Sequence, residues 1–111
     1  MSHTPSFENF FKELDEFYLS NTSQDRNKMK CSYAMKRLLR IGFEITMERS
    51  NRYTRDLYRC YETFSEFYPE KEPQMKEILF LAINPISDKN KIKEIMESFG
   101  KWLLSESKKY L

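Results

Sequence analysis

Glycine is scarce in this chain of 111 residues, which contains only Gly42 and Gly100. Both lie in stretches whose apolar residues recur at helical spacing, and no Asn-Gly, Asp-Gly or Gly-Gly pair occurs. Those pairs are the strongest local signal for a β-hairpin, and a phosphate-binding loop needs several glycines in a short stretch. The sequence therefore predicts an all-α fold, in which a nucleotide would have to contact side chains, a helix N-terminus or another chain.

The length and composition predict one domain with a buried core. A chain of 13.5 kDa can bury about two-thirds of the surface that it exposes when unfolded. A hydrophobic content of 40% with 32% charged residues is typical of globular proteins rather than disordered ones. No apolar stretch has the length of a bilayer span, so we expect no membrane contact and a cytoplasmic location. Cys31 and Cys60 are too few for a disulfide framework, and we expect both to be reduced and buried.

Apolar residues recur at helical spacing in five segments, which predicts an antiparallel up-and-down bundle of about five helices. We expect these helices to form a single domain over residues 1–111. A phenylalanine-rich N-terminal helix covers residues 1–22, and its apolar stripe could pack against a second copy to form a homodimer. The main bundle covers residues 25–110. It begins with the second helix of the chain, which runs from about Asp25 to Met47 or slightly beyond. The broad apolar arc of this helix predicts a central position.

Capping residues and prolines predict the bounds of the remaining helices. The third helix begins near Thr54, a plausible N-cap, and ends before Pro69. The fourth opens with Pro73 and contains the apolar run 78–83, which we expect to be buried because it is apolar nearly all round. We expect Ser87 to cap the fifth helix.

Basic residues are concentrated between Arg26 and Arg59. This segment has ten lysines or arginines and three acidic residues, a net charge of +7, whereas the whole chain carries +2. Such a segment is typical of proteins that bind a polyanion, for example nucleotide phosphate or RNA. A solvated helix face on which Arg40 pairs with Glu44 is the commoner explanation of the same pattern.

The densest group of polar side chains lies between the second and third predicted helices. It adjoins a helix N-terminus, where backbone N–H groups and the helix dipole attract anions. Three guanidiniums within seven residues repel one another unless carboxylates or a phosphate lie among them, and we expect Asp56 to orient one of them. The predicted substrate- or anion-binding residues are Arg49, Arg52, Tyr53, Thr54, Arg55 and Asp56.

A purely structural role explains this junction as well. Thr54 would cap the third helix and an arginine–aspartate pair would orient the turn, since ion-pair networks also occur at such junctions. Arg49 raises a related question, because it falls on the apolar arc of the second helix if that helix continues past Met47. Its guanidinium would then need a carboxylate, a ligand or an exit to water. The sequence leaves the two roles open.

Three stretches of the chain carry a resemblance to a known family: residues 30–49, YTRDLYRCYE at 53–62 and YPEKEP at 68–73. Over about residues 26–110 the chain resembles the C-terminal all-helical domain of small prokaryotic nucleotidyltransferases of the DNA-polymerase-β type. This group includes the kanamycin nucleotidyltransferase-like and minimal nucleotidyltransferases. Their N-terminal α/β domain carries a Gly-Ser pair and metal-binding aspartates, whereas neither glycine here is followed by serine. The resemblance therefore implies a substrate-side domain without the catalytic half.

Two function hypotheses follow from these observations. In the first, the chain is the helical, substrate-side part of a nucleotidyltransferase-like enzyme and works with an α/β catalytic domain or chain. It would contribute to nucleotide and acceptor binding, with no catalytic residue, metal ligand or cofactor of its own. Magnesium and a nucleoside triphosphate would bind only with the catalytic partner. In the second, it is a free-standing helical protein-interaction module without nucleotide chemistry. We expect no nucleic acid partner under either hypothesis.

Overall fold

Residues 24–110 are described by the computed structural model, and within them the chain forms four helices and no strand. The all-α class is confirmed for this part of the chain. It contains four helices, whereas about five were predicted for the whole chain. The predicted phenylalanine-rich helix at residues 1–22 lies outside the described residues. The first three helices are α1 (Gln24–Ser50), α2 (Leu57–Phe67) and α3 (Glu72–Ile83), with a 3₁₀ turn at Pro69–Lys71 before α3. The fourth consists of α4 (Lys89–Ile95), a π-helical segment (Met96–Gly100) and α5 (Lys101–Tyr110), which follow one another without a break.

Helix α1 lies at the centre of the fold, as predicted, because it packs against α2, α3 and α5. It continues past Met47 to Ser50 and ends at Asn51, whose φ of 54° is left-handed. Asparagine adopts this conformation more readily than most residues, and its N–H still donates to the Met47 carbonyl at 2.8 Å. The buried arc of α1 consists of Cys31, Ala34, Met35, Leu38, Leu39, Ile41 and Ile45.

Two predicted N-caps are wrong by one or two residues. Asp88 rather than Ser87 caps α4, and its carboxylate accepts hydrogen bonds from the backbone N–H groups of the second and third residues after it, at 2.9 and 3.2 Å. Asp56 rather than Thr54 caps α2 in the same way. A carboxylate is a strong acceptor for the first N–H groups of a helix. In both cases the aspartate lies nearer to the helix than the hydroxyl residue does.

The core forms where α1, α2 and α3 approach one another closely. A Cβ added to Gly42 would lie 2.5 Å from Met75 Cε and 3.1 Å from Phe64 Cδ1. The Phe64 ring stacks on Tyr68 with centroids 4.9 Å apart and meets Trp102 edge-on at 6.1 Å. Glycine at position 42 therefore allows α1 to pack directly against this aromatic cluster.

The two cysteines occupy the core in the way the sequence predicts. Cys31 and Cys60 are free thiols, and both are buried. Burial favours the neutral thiol, and it raises the pKa of both groups. They therefore pack as small apolar side chains.

The apolar run 78–83 of α3 is only partly buried, contrary to the prediction. Ile78, Leu81 and Ala82 belong to the core, whereas the side chains of Phe80 and Ile83 are 61% and 64% exposed. A helix that packs on one side of a small bundle presents only one face to the core. An apolar residue on its opposite face therefore stays in contact with water.

In residues 24–110 no helix is both long and apolar enough to cross a membrane.

Candidate functional site

The junction between α1 and α2 brings the predicted site residues onto one connection, but its helix end is already occupied. The Asp56 carboxylate accepts hydrogen bonds from the N–H groups of Tyr58 at 2.8 Å and Arg59 at 3.3 Å. Thr54 Oγ1 accepts from the N–H of Asp56 at 3.1 Å. The expectation that Asp56 orients an arginine is therefore wrong for the described part of the chain. The N-terminal N–H groups of α2 likewise serve a side chain of the protein itself.

Arg52 points along α2 and forms an ion pair there. Its Nη1 lies 2.7 Å from Glu66 Oε2, and both side chains are about half exposed. The hydrogen bond from Arg52 lowers the pKa of Glu66, and the same hydrogen bond raises the pKa of Arg52. Surface pairs of this kind contribute little to stability. Arg52 is thus neutralised by a carboxylate that the sequence analysis did not associate with it.

Arg49 turns toward the end of α2. Its Nη2 donates to the Ile45 carbonyl at 3.0 Å and to the Tyr68 hydroxyl at 2.9 Å. The guanidinium also lies over the Phe67 ring, 5.0 Å from its centroid, a favourable cation–π geometry. The Tyr68 hydroxyl in turn donates to Glu106 Oε2 at 2.9 Å. Arg49 therefore links α1, α2 and α5.

Tyr53 and Arg55 are both exposed at the junction and contact each other. Tyr53 is 71% exposed, and Arg55 Nε donates to its hydroxyl at 3.5 Å. This contact raises the pKa of Arg55, although a guanidinium is charged at every physiological pH without it. The two side chains present an aromatic face and a fixed positive charge next to each other.

A cleft of about 520 Å³ lies beside this pair, between α1 and the junction. Three of the six predicted residues line it, namely Tyr53, Thr54 and Arg55, whereas the other three do not. The structure adds residues of α1 and α2 that the sequence analysis did not assign to the site. The complete lining is Arg40, Phe43, Glu44, Met47, Tyr53, Thr54, Arg55 and Cys60. A volume of this size falls within the range of small-molecule sites, about 300–1,000 Å³.

The cleft combines an apolar floor with a charged rim. Phe43 and Cys60 are buried at its base, and burial raises the pKa of the Cys60 thiol to about 11. A neutral thiol is a poor nucleophile, so Cys60 contributes an apolar surface here. Arg40, Glu44 and Arg55 carry the charges of the lining. The arrangement can hold a flat apolar group and an anion together.

Arg40 and Glu44 do not form the ion pair that their spacing predicts. The ion pairs of residues 24–110 join other partners. An arginine placed four residues before a glutamate is the less favourable order on a helix, since the reverse order suits the helix dipole. Both side chains instead line the cleft.

A second, smaller cleft of about 170 Å³ adjoins the first along α1. The two clefts share Arg40 and Glu44. The second is lined by Tyr33, Lys36, Arg37, Arg40, Ile41 and Glu44. The sequence signal that covers Lys36, Arg37 and Arg40 is the concentration of basic residues between Arg26 and Arg59.

The described residues contain no group of three or more histidine, cysteine, aspartate or glutamate side chains that could hold a metal ion.

Comparisons with known proteins add no further guidance on the chemistry. No family model matches the chain, and no curated protein or solved structure is significantly similar to it. The function is therefore argued from the geometry of the two clefts.

Proposed function

We propose that the chain binds a nucleotide in the cleft between α1 and the junction, as the substrate-side domain of a nucleotidyltransferase-like enzyme. The observation that carries this proposal is the convergence of Tyr53, Thr54 and Arg55 with Arg40 around one cleft of about 520 Å³. The proposal retains the antiparallel up-and-down order of the helices and the cytoplasmic location that the sequence led us to expect.

The lining offers one type of group to each part of a nucleotide. Tyr53 and Met47 present aromatic and thioether surfaces on which a base can stack. Arg40 and Arg55 supply guanidiniums, which bind phosphate oxygens through paired N–H donors, and the Thr54 hydroxyl adds a short polar group. Glu44 opposes an anion, so the phosphates are expected at the Arg55 end of the cleft.

Catalysis is assigned to a partner in this proposal. The charged groups of the cleft are two arginines and Glu44, whereas two-metal phosphoryl transfer needs several converging carboxylates. An α/β catalytic domain or chain would supply those carboxylates, together with the bound magnesium. The helical chain would contribute nucleotide and acceptor binding.

ATP is the probe for the binding step, measured as a shift in melting temperature. With a dissociation constant of about 1 mM, 10 mM ATP should stabilise the protein by about 1.4 kcal/mol, which raises the melting temperature of a domain this size by about 5 °C. Adenosine alone and inorganic triphosphate alone should each give a smaller shift. The shift should decrease as sodium chloride is raised from 50 to 300 mM.

The matched variants are Arg55→Ala and Arg52→Ala. Arg55 lines the cleft, whereas Arg52 lies on the same junction but pairs with Glu66 outside it. The first substitution should remove most of the ATP shift and leave the unliganded melting temperature nearly unchanged. The second should keep the shift. A wild-type chain whose melting temperature does not respond to millimolar ATP, alone or with its catalytic partner, would end the proposal.

The alternative function, a free-standing interaction module, is favoured by the exposed apolar residues of α3. Phe80 and Ile83 lie one helical turn apart, so they form one apolar surface. Under this alternative ATP does not bind, and Phe80→Ser changes the sedimentation coefficient of the full chain while its melting temperature stays constant. Dimerisation through the predicted N-terminal phenylalanine stripe would instead survive the Phe80→Ser substitution.

A further inference from the structure

We infer that the two clefts together bind a single-stranded oligonucleotide, which runs along α1 from the nucleotide cleft into the smaller one. This inference rests on the proposed function, because the first cleft is taken to hold one nucleotide unit. It extends that function from a mononucleotide to a strand. It also departs from the sequence-based expectation, which did not include a nucleic acid partner.

The two clefts are adjacent on α1, because they share lining side chains. Arg40 and Glu44 line both, and Tyr33 lines the far end of the smaller cleft. From position 33 to position 44 an α-helix rises about 16 Å. A stacked strand rises about 3.4 Å per nucleotide along its axis, so about five nucleotides would span this length. The surface is therefore too long for one mononucleotide.

Basic groups outnumber acidic ones along this surface. Lys36, Arg37, Arg40 and Arg55 line the two clefts, and Glu44 is the single acidic residue in their linings. Neither Lys36 nor Arg40 takes part in the ion pairs of residues 24–110. A strip of positive charge that follows one helix matches the regular spacing of phosphates in a backbone.

Exposed tyrosines lie at both ends of the strip. Tyr33 is 53% exposed and Tyr53 is 71% exposed. Bases of a single strand stack on such rings, whereas paired bases inside a duplex cannot reach them. An acidic peptide would use the basic groups but would leave the two rings without a flat partner. The combination of a basic strip and terminal aromatic rings therefore favours a single-stranded nucleic acid.

The test measures fluorescence polarisation of a labelled twelve-residue oligouridylate with the full chain at 50 mM salt. Lys36→Ala and Tyr33→Ala, which alter only the smaller cleft, should each weaken binding about three- to tenfold, whereas Tyr33→Phe should retain the affinity. Lys36→Ala should also reduce the slope of log K against log salt by about 0.7. Glu44→Gln should tighten binding, because it removes a negative charge from the path of the phosphates. Lys76→Ala, an exposed lysine of α3 that lines neither cleft, is the matched control and should change nothing.

ATP binding to the same variants separates this inference from the proposed function. Lys36→Ala and Tyr33→Ala should leave the ATP-induced melting shift unchanged. If ATP binds and the oligonucleotide does not, the inference is wrong and the proposed function stands. If neither binds, both are wrong. If a duplex or heparin binds as tightly as the single strand and Tyr33→Ala has no effect, the surface is a non-selective polyanion site and the inference is overturned.

Discussion

Arg49 donates a hydrogen bond to the hydroxyl of Tyr68 at 2.9 Å, which joins the last turn of α1 to the residue that follows α2. The same hydroxyl donates to Glu106 of α5. Burial raises the pKa of Tyr68 to about 12, with the Glu106 carboxylate acting in the same direction and Arg49 in the opposite one. The hydroxyl therefore stays protonated and can serve as acceptor and donor at once.

Replacing Tyr68 with phenylalanine should lower the free energy of unfolding by about 1–2 kcal/mol, because both hydrogen bonds of the hydroxyl are lost. Urea denaturation of the wild type and the variant measures the difference. Tyr58→Phe is the control, since Tyr58 is exposed, and should be neutral. A double-mutant cycle with Arg49→Met should give a coupling of about 0.5–1 kcal/mol. Strictly additive effects would contradict the linkage.

Replacing Gly42 with alanine should destabilise the protein although alanine favours helices. The helix-propensity gain of about 1 kcal/mol is offset because the new methyl group would meet Met75 Cε at 2.5 Å and Phe64 Cδ1 at 3.1 Å. The Met75 side chain can move, but Phe64 is fully buried among other rings and must shift them. We expect a net loss of about 1 kcal/mol. In a Met75→Ala background the same substitution should cost less, and a stabilised single variant would show that the rings can adjust.

Asp56 should stabilise α2 as its N-cap. Asp56→Ala should lower the free energy of unfolding by about 1 kcal/mol. Asp56→Asn should lower it much less, because asparagine caps helices nearly as well as aspartate. Thermal unfolding of both variants tests this. If Asp56 acted mainly as the counter-charge of an arginine, the asparagine variant would be as unstable as the alanine variant.

The Arg52–Glu66 pair predicts a measurable shift in the titration of one carboxyl group. The pKa of Glu66 is lowered by the hydrogen bond from Arg52, so Arg52→Ala should raise it toward the ordinary glutamate value. Because the folded-state pKa is the lower one, the pair stabilises the protein above the unfolded pKa and loses this effect as the pH falls through the folded pKa. NMR titration of the Glu66 side chain gives the shift directly. An unchanged pKa would contradict the pairing.

The two cysteines should react slowly in the native protein. Burial raises the pKa of Cys60 to about 11, so little thiolate exists at pH 8. A disulfide reagent should label two thiols only after denaturation. Because the folded-state pKa is raised above the ordinary thiol value of 9.0, the protonated thiol stabilises the fold below pH 9, and this contribution is lost as the pH rises toward 11. The loss between pH 9 and 11 should be smaller in Cys60→Ala, while rapid native labelling would contradict burial.

The helical parts of the fold could be predicted because they depend on local patterns. The buried arc of α1 and the end of α2 before Pro69 follow from spacing and from the geometry of proline. The N-cap of α2 could not be identified as easily, because Thr54 and Asp56 both have side-chain oxygens that accept hydrogen bonds from backbone N–H groups. The path of the backbone between Asn51 and α2 decides which of them reaches the helix.

The candidate site was predictable only in part, because its contacts join residues that are distant in sequence. Tyr53 and Arg55 lie in the cleft as neighbours along the chain. By contrast, the partner of Arg52 is Glu66, and the partner of Arg49 is Tyr68. These pairs depend on the angle between α1 and α2, which no local pattern encodes. Charge counting near the junction therefore overstated the number of arginines available to an anion.

The π-helical segment Met96–Gly100 determines where insertions and deletions can occur in the last helix. A π turn accommodates one residue more than an α turn, so deleting the exposed Glu97 or Ser98 could restore a regular helix with the following residues in their present orientation. The same deletion within α5 would rotate every later residue by about 100° and turn Glu106 away from Tyr68. Homologous chains whose last helix differs in length by one residue should therefore place the difference within this segment.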